Sequence, residues 1–180
     1  MKKETAIFAG GCFWCTEAIF KALEGVTAVE PGYTGGEYPF PSYEQVCTGT
    51  TGHAEAVKIV FNPDKVSYEE LLEIFFATHD PVTLNRQGND TGTQYRSAIF
   101  YLNDNQKNTA EAYIRFLEKE QVYEDRIVTE VSPAAEFYPA EDYHRNYLEQ
   151  NPENPYCQFV VLPKVEKFRK LYKDKLKGNA

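Results

Sequence analysis

Four cysteines, Cys12, Cys15, Cys47 and Cys157, are the side chains of this sequence best suited to redox or nucleophilic chemistry. The sharpest local feature is the run Gly10-Gly11-Cys12-Phe13-Trp14-Cys15. A thiol just after a strand and at the start of a helix meets unpaired backbone N–H groups and the positive end of the helix dipole. Both favour thiolate, so the sequence predicts a depressed pKa and a nucleophilic sulfur at Cys12. The two glycines ahead of it allow a tight turn and leave room for a ligand above the backbone. The competing reading is a buried, inert cysteine. Phe13 falls in phase with the helix's apolar face and reads as core. Trp14 is the only tryptophan and adjoins the thiol, where an aromatic wall could hold a small apolar group such as a methyl.

Further polar clusters offer proton chemistry. Thr51-Gly52-His53-Ala54-Glu55 sets a carboxyl at the start of a strand that otherwise reads as buried. Poorly solvated there, Glu55 would have a raised pKa and could donate a proton near neutrality. The alternative is an ionised strand-end glutamate. His53 is the rival acid-base group, with a hydrogen-bonded structural histidine as its plainer reading. Asp90, between Asn89 and Thr91, invites an Asx turn. Tyr95 could present a phenol to the same pocket as Tyr43, although with 13 tyrosines any single one is more readily packing.

The elements that must position these groups follow from periodicity. Residues 5–9 read as a buried strand, and a helix runs from Cys12 or Phe13 to Leu23, with Gly25 as its stop. Residues 26–33 form a second strand, and residues 34–41, crowded with Gly and Pro, a loop. Residues 54–61 alternate as a strand. Ser67-Tyr68-Glu69-Glu70 is a capping box opening a helix to about Thr78. Residues 79–94 lack periodicity, and a long irregular stretch inside a compact domain is often functional. A strand at 97–102, a helix from about Asp104 to Glu120 and a strand at 127–131 come next. Beyond Pro133 the chain reads as looser, with a short helix near 141–148 and a last one after Pro163. The order predicts one α+β domain, residues 1–180, on the ferredoxin-like, split βαβ plan: a two-layer sandwich of a mixed sheet with helices packed on it, ending in a loose C-terminal tail. A site would be built from the loops at 34–51 and 79–94 and from that tail.

Composition limits the partners. The formal net charge is −8 without a long basic run, which disfavours nucleic acid and anionic membranes. Nothing resembles a signal peptide or a transmembrane span, so a cytoplasmic location is expected. In a reducing compartment four cysteines point to reactive thiols or metal more than to a disulfide scaffold. Cys12-Phe13-Trp14-Cys15 could itself be a CxxC thiol–disulfide exchange motif. Zinc binding is a weaker alternative, because a closed site usually brings a second paired motif. A cysteine hydrolase pairing Cys12 with His144 lacks any oxyanion-hole cue.

Three blocks resemble the peptide methionine sulfoxide reductase A family: Gly11-Cys12-Phe13-Trp14, the stretch from Tyr43 through Cys47 to Gly52-His53-Ala54-Glu55, and Gly88-Asn89-Asp90-Thr91-Gly92-Thr93-Gln94-Tyr95-Arg96-Ser97. Ala140-Glu141-Asp142-Tyr143-His144 and Asn154-Pro155-Tyr156-Cys157 resemble its C-terminal part. The resemblance implies reduction of methionine S-sulfoxide, free or in oxidised proteins, without a cofactor or metal. It implies Glu55 as the acid, helped by Tyr43 and Tyr95, and Cys12 as the nucleophile that becomes a sulfenic acid. Phe13 and Trp14 would hold the S-methyl group, and Asp90 would order the same site. Cys157 matches the resolving position, with thioredoxin as reductant, and Cys47 reads as a bystander. The family commonly has Gly where this chain has Cys15, which makes Cys15 a second candidate resolver.

Overall fold

The computed structural model describes residues 2–178. Its centre is a six-stranded sheet. The strands are β1 (Glu4–Gly10), β2 (Val26–Thr34), β3 (Ala54–Phe61), β6 (Ser97–Tyr101), β7 (Glu130–Pro133) and β8 (Tyr138–Pro139). Across the sheet they run β7-β6-β1-β3-β2-β8. All neighbours pair antiparallel except β6 and β7, which are parallel, so the sheet is mixed, as expected. The remaining strands, β4 (Arg86–Gln87) and β5 (Asp90–Thr91), form a small separate hairpin.

Alternation divides the sheet into two faces. Ala6 and Phe8 of β1, with Val57, Ile59 and Phe61 of β3, belong to the main core beneath the helices. There they meet α1 (Phe13–Lys21), α3 (Tyr68–Ala77) and α6 (Leu162–Leu171), and α4 (Asp104–Lys119) adds Ala110 and Leu117. Phe8 stacks on Phe75 at 4.8 Å and tilts against Phe20 at 5.7 Å. Each such buried ring or aliphatic chain contributes about 1.5–3 kcal/mol relative to exposure. The other face is thin: Ile7, Ala9, Ala54, Ala56, Ala98 and Phe100, covered by Ala134 and Phe137. Small residues there let an irregular segment lie close to the sheet.

The Ser67 capping box is formed, with Oγ accepting from Glu70 N and Glu70 Oε1 accepting from Ser67 N. Several expectations are corrected. The loop at 34–51 contains a short helix, α2 (Tyr43–Cys47), opened by a second capping box from Ser42 and Gln45. The strand expected at 127–131 lies at Glu130–Pro133. The helix expected near 141–148 is a 3-10 turn, Asp142–His144, followed by α5 (Tyr147–Gln150).

The C-terminal part is not loose. Cys157 is fully buried and opens a π-helical turn, Cys157–Val161, that continues directly into α6. Pro163 does not begin the helix; it sits in the first turn of α6, where a missing N–H is tolerated, and the wide turn comes just before it. Beyond α6 the chain is tied back to the end of α1, with Glu24 N donating to Lys175 O and Lys177 N to Ala22 O. Among the described residues no helix is long and apolar enough to cross a membrane.

Gly11 carries the turn from β1 into α1 at φ +86°, a conformation costly for any residue with a Cβ. A Cβ there would lie 2.8 Å from Cγ of Gln87, whose amide is bonded at both ends to the Asp80 backbone. Gly11→Ala should therefore destabilise the protein by about 1–3 kcal/mol, read as a lower urea midpoint with unchanged m. An unchanged midpoint would show that this turn can relax.

Candidate active site

Cys12 is the N-cap of α1, half-buried, with extended backbone (φ −60°, ψ 126°). No side chain caps the helix, so its first amides remain available. One of them, Phe13 N–H, donates to Glu55 Oε1 at 3.2 Å, and the backbone N–H of Trp14 favours the Cys12 thiolate. Glu55 follows from strand alternation: it shares its parity with Val57, Ile59 and Phe61, so its carboxyl points under the helix start.

That carboxyl is 1% exposed, and its second oxygen, Oε2, has no hydrogen-bond partner among the described residues. Burial raises its pKa from 4.5 to about 8, with the charge of Asp90 adding and the Phe13 N–H opposing. Glu55 is thus mostly a neutral acid at pH 7. The expectation of a depressed pKa at Cys12 is overturned. The helix-start N–H is present, but burial and then the Glu55 and Cys15 charges outweigh it and push the thiol well up.

Cys12, Trp14, Tyr43, Glu55, Asp90, Tyr95, Asn154 and Tyr156 line a cavity of about 260 Å³. Tyr43 comes from the start of α2, where its N–H donates to Glu141 Oε2 at 2.8 Å while Tyr33 Oη donates to Oε1 at 2.7 Å. Tyr95 ends a 3-10 turn, Thr93–Tyr95, pinned beside α2 by Gln94 Nε2 donating to Cys47 O. Both phenols are held neutral, their pKa values raised first by burial and then by Glu55. Asp90, on β5, accepts from Tyr156 Oη, which clasps the β4–β5 hairpin to the C-terminal segment across the cavity. Trp14 stacks on Tyr147 at 3.7 Å with an interplanar angle of 4°, and its Nε1–H donates to His144 Nδ1 at 2.9 Å.

Not every predicted site residue borders the cavity. Phe13 does not line it: its side chain is buried against Tyr33 and His144, and its contribution there is the backbone N–H. Cys157 lies one residue beyond Tyr156 but is buried in the core. Cys15, 3% exposed, has its pKa raised to about 11, mainly by burial, and lies within electrostatic reach of both Cys12 and Cys157. Cys47 is exposed. His53 is a buried strut, with Nδ1 accepting from Gly36 N and Nε2–H donating to Tyr38 O. His144 makes no bond to a cysteine that would serve a hydrolase. Among the described residues no three His, Cys, Asp or Glu side chains converge on a metal position. Sequence reasoning gave no site role to Tyr156, Asn154 or Tyr147; the signals for the first two were the adjacency of Tyr156 to Cys157 and the resemblance of the block Asn154-Pro155-Tyr156-Cys157.

A family model described as peptide methionine sulfoxide reductase matches residues 4–176. The peptide methionine sulfoxide reductase MsrA of Saccharolobus solfataricus is 56% identical over 174 residues, which cover 97% of each chain. Mxr1 from Saccharomyces cerevisiae in reduced form superposes with a TM-score of 0.81 at 36% identity, over 87% of this chain and 90% of that one. Mxr1 in complex with Trx2 shares the fold at 24% identity and a TM-score of 0.58, over 81% and 85% of the two chains.

Folded Glu55 holds its proton up to about pH 8, whereas an ordinary glutamate in the unfolded chain releases it near 4.5. The folded state therefore loses stability as pH rises through that window, on the order of 5 kcal/mol in all. Glu55→Gln should raise Tm relative to the unmodified protein at about pH 8.5, with the difference shrinking towards about pH 5. A pH-independent difference would mean that Glu55 is not the group that titrates.

Proposed function

The chain belongs to the peptide methionine sulfoxide reductase family of oxidoreductases, and from that premise we propose how its own residues carry out the reduction. The observation that carries the reading is a neutral, buried carboxyl with one oxygen free, lining the same small cavity as a cysteine at a helix start. The substrate is methionine S-sulfoxide, free or within oxidised proteins, and the activity serves protein repair under oxidative stress.

Trp14 holds the S-methyl group, with Phe13 packed behind it in the core. Glu55 gives its proton to the sulfoxide oxygen, which Tyr43 and Tyr95 steady by hydrogen bonds, while Asp90 orders the wall opposite through Tyr156. Proton donation makes the oxygen a leaving group, and the Cys12 sulfur attacks the sulfoxide sulfur. The Cys12 proton passes to the Glu55 carboxylate, which returns it to the oxygen so that the oxygen leaves as water. That water adds to the Cys12 sulfur and breaks the new S–S bond, its extra proton going back to Glu55. Methionine departs with the electron pair and Cys12 is left as a sulfenic acid, so one sulfur is reduced by two electrons and the other oxidised by two. Cys12 rests as a thiol, so the carboxylate left on Glu55 by the first proton transfer is the group in the same cavity that takes up the Cys12 proton.

Cys157 then condenses with the sulfenic acid, releasing water and forming a Cys12–Cys157 disulfide that thioredoxin reduces. Support comes from Asn154 and Tyr156, which border the Cys12 cavity just ahead of Cys157, and from the π-turn, a natural weak point for unwinding. A solved complex of the relative Mxr1 with Trx2 agrees with a thioredoxin-type reductant. The whole chain acts as one catalytic domain, since segments from Cys12 to Tyr156 meet at one cavity. Four free cysteines suit a cytoplasmic setting. A plain CxxC exchange enzyme is disfavoured, because it leaves unexplained the buried, neutral Glu55 and the Asp90 wall on the same cavity as Cys12.

Cys12→Ser should abolish turnover with any reductant. In single-turnover assays on a methionine S-sulfoxide, Glu55→Gln should slow oxygen transfer by roughly ten- to ten-thousand-fold. The unmodified enzyme should lose rate as pH rises above about 8, where the acid form empties. Cys157→Ser should keep one stoichiometric turnover but lose cycling with thioredoxin. A Cys12–Cys15 disulfide by mass spectrometry, with full thioredoxin-driven activity in Cys157→Ser, would transfer the resolving role to Cys15.

A further inference from the structure

The reaction scheme uses no atom of His144, yet this ring is wholly buried at the heart of the site. An indole N–H can only donate, so the Nδ1 that accepts from Trp14 carries a lone pair and the proton of the neutral ring sits on Nε2. Nε2 is buried without a hydrogen-bond partner among the described residues, an arrangement that structural histidines ordinarily avoid. The rest of the surround is aromatic: Phe13 at 5.0 Å, Tyr43 at 4.5 Å, Tyr143 at 4.2 Å and Tyr147 at 6.2 Å between ring centres. The tautomer is therefore fixed from one side only, by Trp14.

We propose that His144 is a positioning residue, whose Nδ1 lone pair anchors the edge of the Trp14 indole while Tyr147 clamps its face, so that the indole stands as a rigid wall beside Cys12. This rests on the reading of Trp14 as the wall that holds the S-methyl group. Two restraints on one ring, a bond in its plane and a stack across it, leave the indole little freedom to rotate. Protonation of His144 would put an N–H at Nδ1 against the indole N–H, and two donors cannot bond.

The groups facing the imidazole set when that happens. The Glu141 and Glu44 carboxylates favour the charged ring, but burial outweighs them and keeps the pKa below its ordinary 6.5. Tyr43 and Tyr143 are phenols whose pKa values burial raises, so they stay neutral in the acid range, and α1 presents Phe13 and Trp14 to the ring. The anchor therefore holds at neutral pH and is lost on acidification.

Trp14 is the only tryptophan, so intrinsic emission reports on it alone. In the unmodified enzyme the emission should show a transition below about pH 6.5 that is absent from His144→Asn, whose amide oxygen can accept where Nδ1 did but does not titrate there. With N-acetylmethionine S-sulfoxide and dithiothreitol, His144→Phe should raise KM about tenfold while changing the saturating single-turnover rate much less. His144→Asn should recover most of that loss. The proposal is overturned by an unmodified enzyme without an acid transition in emission, by a KM unchanged in His144→Phe, or by His144→Asn no better than His144→Phe. The titration of the unmodified enzyme decides the matter if either variant fails to fold. An unchanged KM in Trp14→Leu would instead remove the methyl-wall reading, leaving the emission transition to report the bond by itself.

Discussion

The site depends on one hydrogen bond, from Phe13 N–H at the start of α1 to a Glu55 carboxyl buried on β3. It joins the helix that carries Cys12 to a central strand of the sheet, and so fixes sulfur and acid relative to each other through rigid elements. A single N–H is too little to keep the carboxyl charged under that much burial. The same contact that positions Glu55 therefore leaves it neutral, with its other oxygen free. Everything else in the cavity is arranged around that pair: α2 supplies Tyr43, the turn after the β4–β5 hairpin supplies Tyr95, and the C-terminal segment closes over them with Tyr156.

Much of this architecture could be read from sequence, for identifiable reasons. The Gly10-Gly11 turn ahead of Cys12 announced a strand-to-helix junction, because Gly11 needs a positive φ. Ser67 and Glu70 announced α3, since a capping box is local chemistry. Glu55 was legible through parity with Val57, Ile59 and Phe61, a pattern that carries burial within it. The sign of the Cys12 pKa was not legible: local sequence shows the helix start, while the opposing burial comes from elements far along the chain. Helix α2 escaped because five residues give too short a window for periodicity, although its Ser42 and Gln45 cap was in plain view.

The C-terminal part escaped for a different reason. Proline and asparagine around Asn151-Pro152-Glu153-Asn154-Pro155 signal irregular backbone but say nothing of whether it is packed. Here it is, because Cys157, Val161, Val165 and Phe168 recur on one face and dock into the main core. An element that is buried, yet contains a locally weak turn, can be ordered at rest and still open without dismantling the sheet beneath it.

Cys12, Glu55 and Trp14 reach the cavity from a turn, a strand and a helix, so the three are not interchangeable by any rotation of a bound molecule. A sulfoxide sulfur bears three different substituents and a lone pair, and is therefore chiral. If the oxygen must meet the acid, the methyl the indole and the sulfur the thiol, the exit direction of the remaining chain is dictated. The mirror-image epimer, held by the same three groups, would exchange its chain and its lone pair and so send its chain in the opposite direction. On the proposed roles, handedness at the substrate sulfur would be read by the scaffold itself, as a triangle of fixed corners distinguishes a left hand from a right.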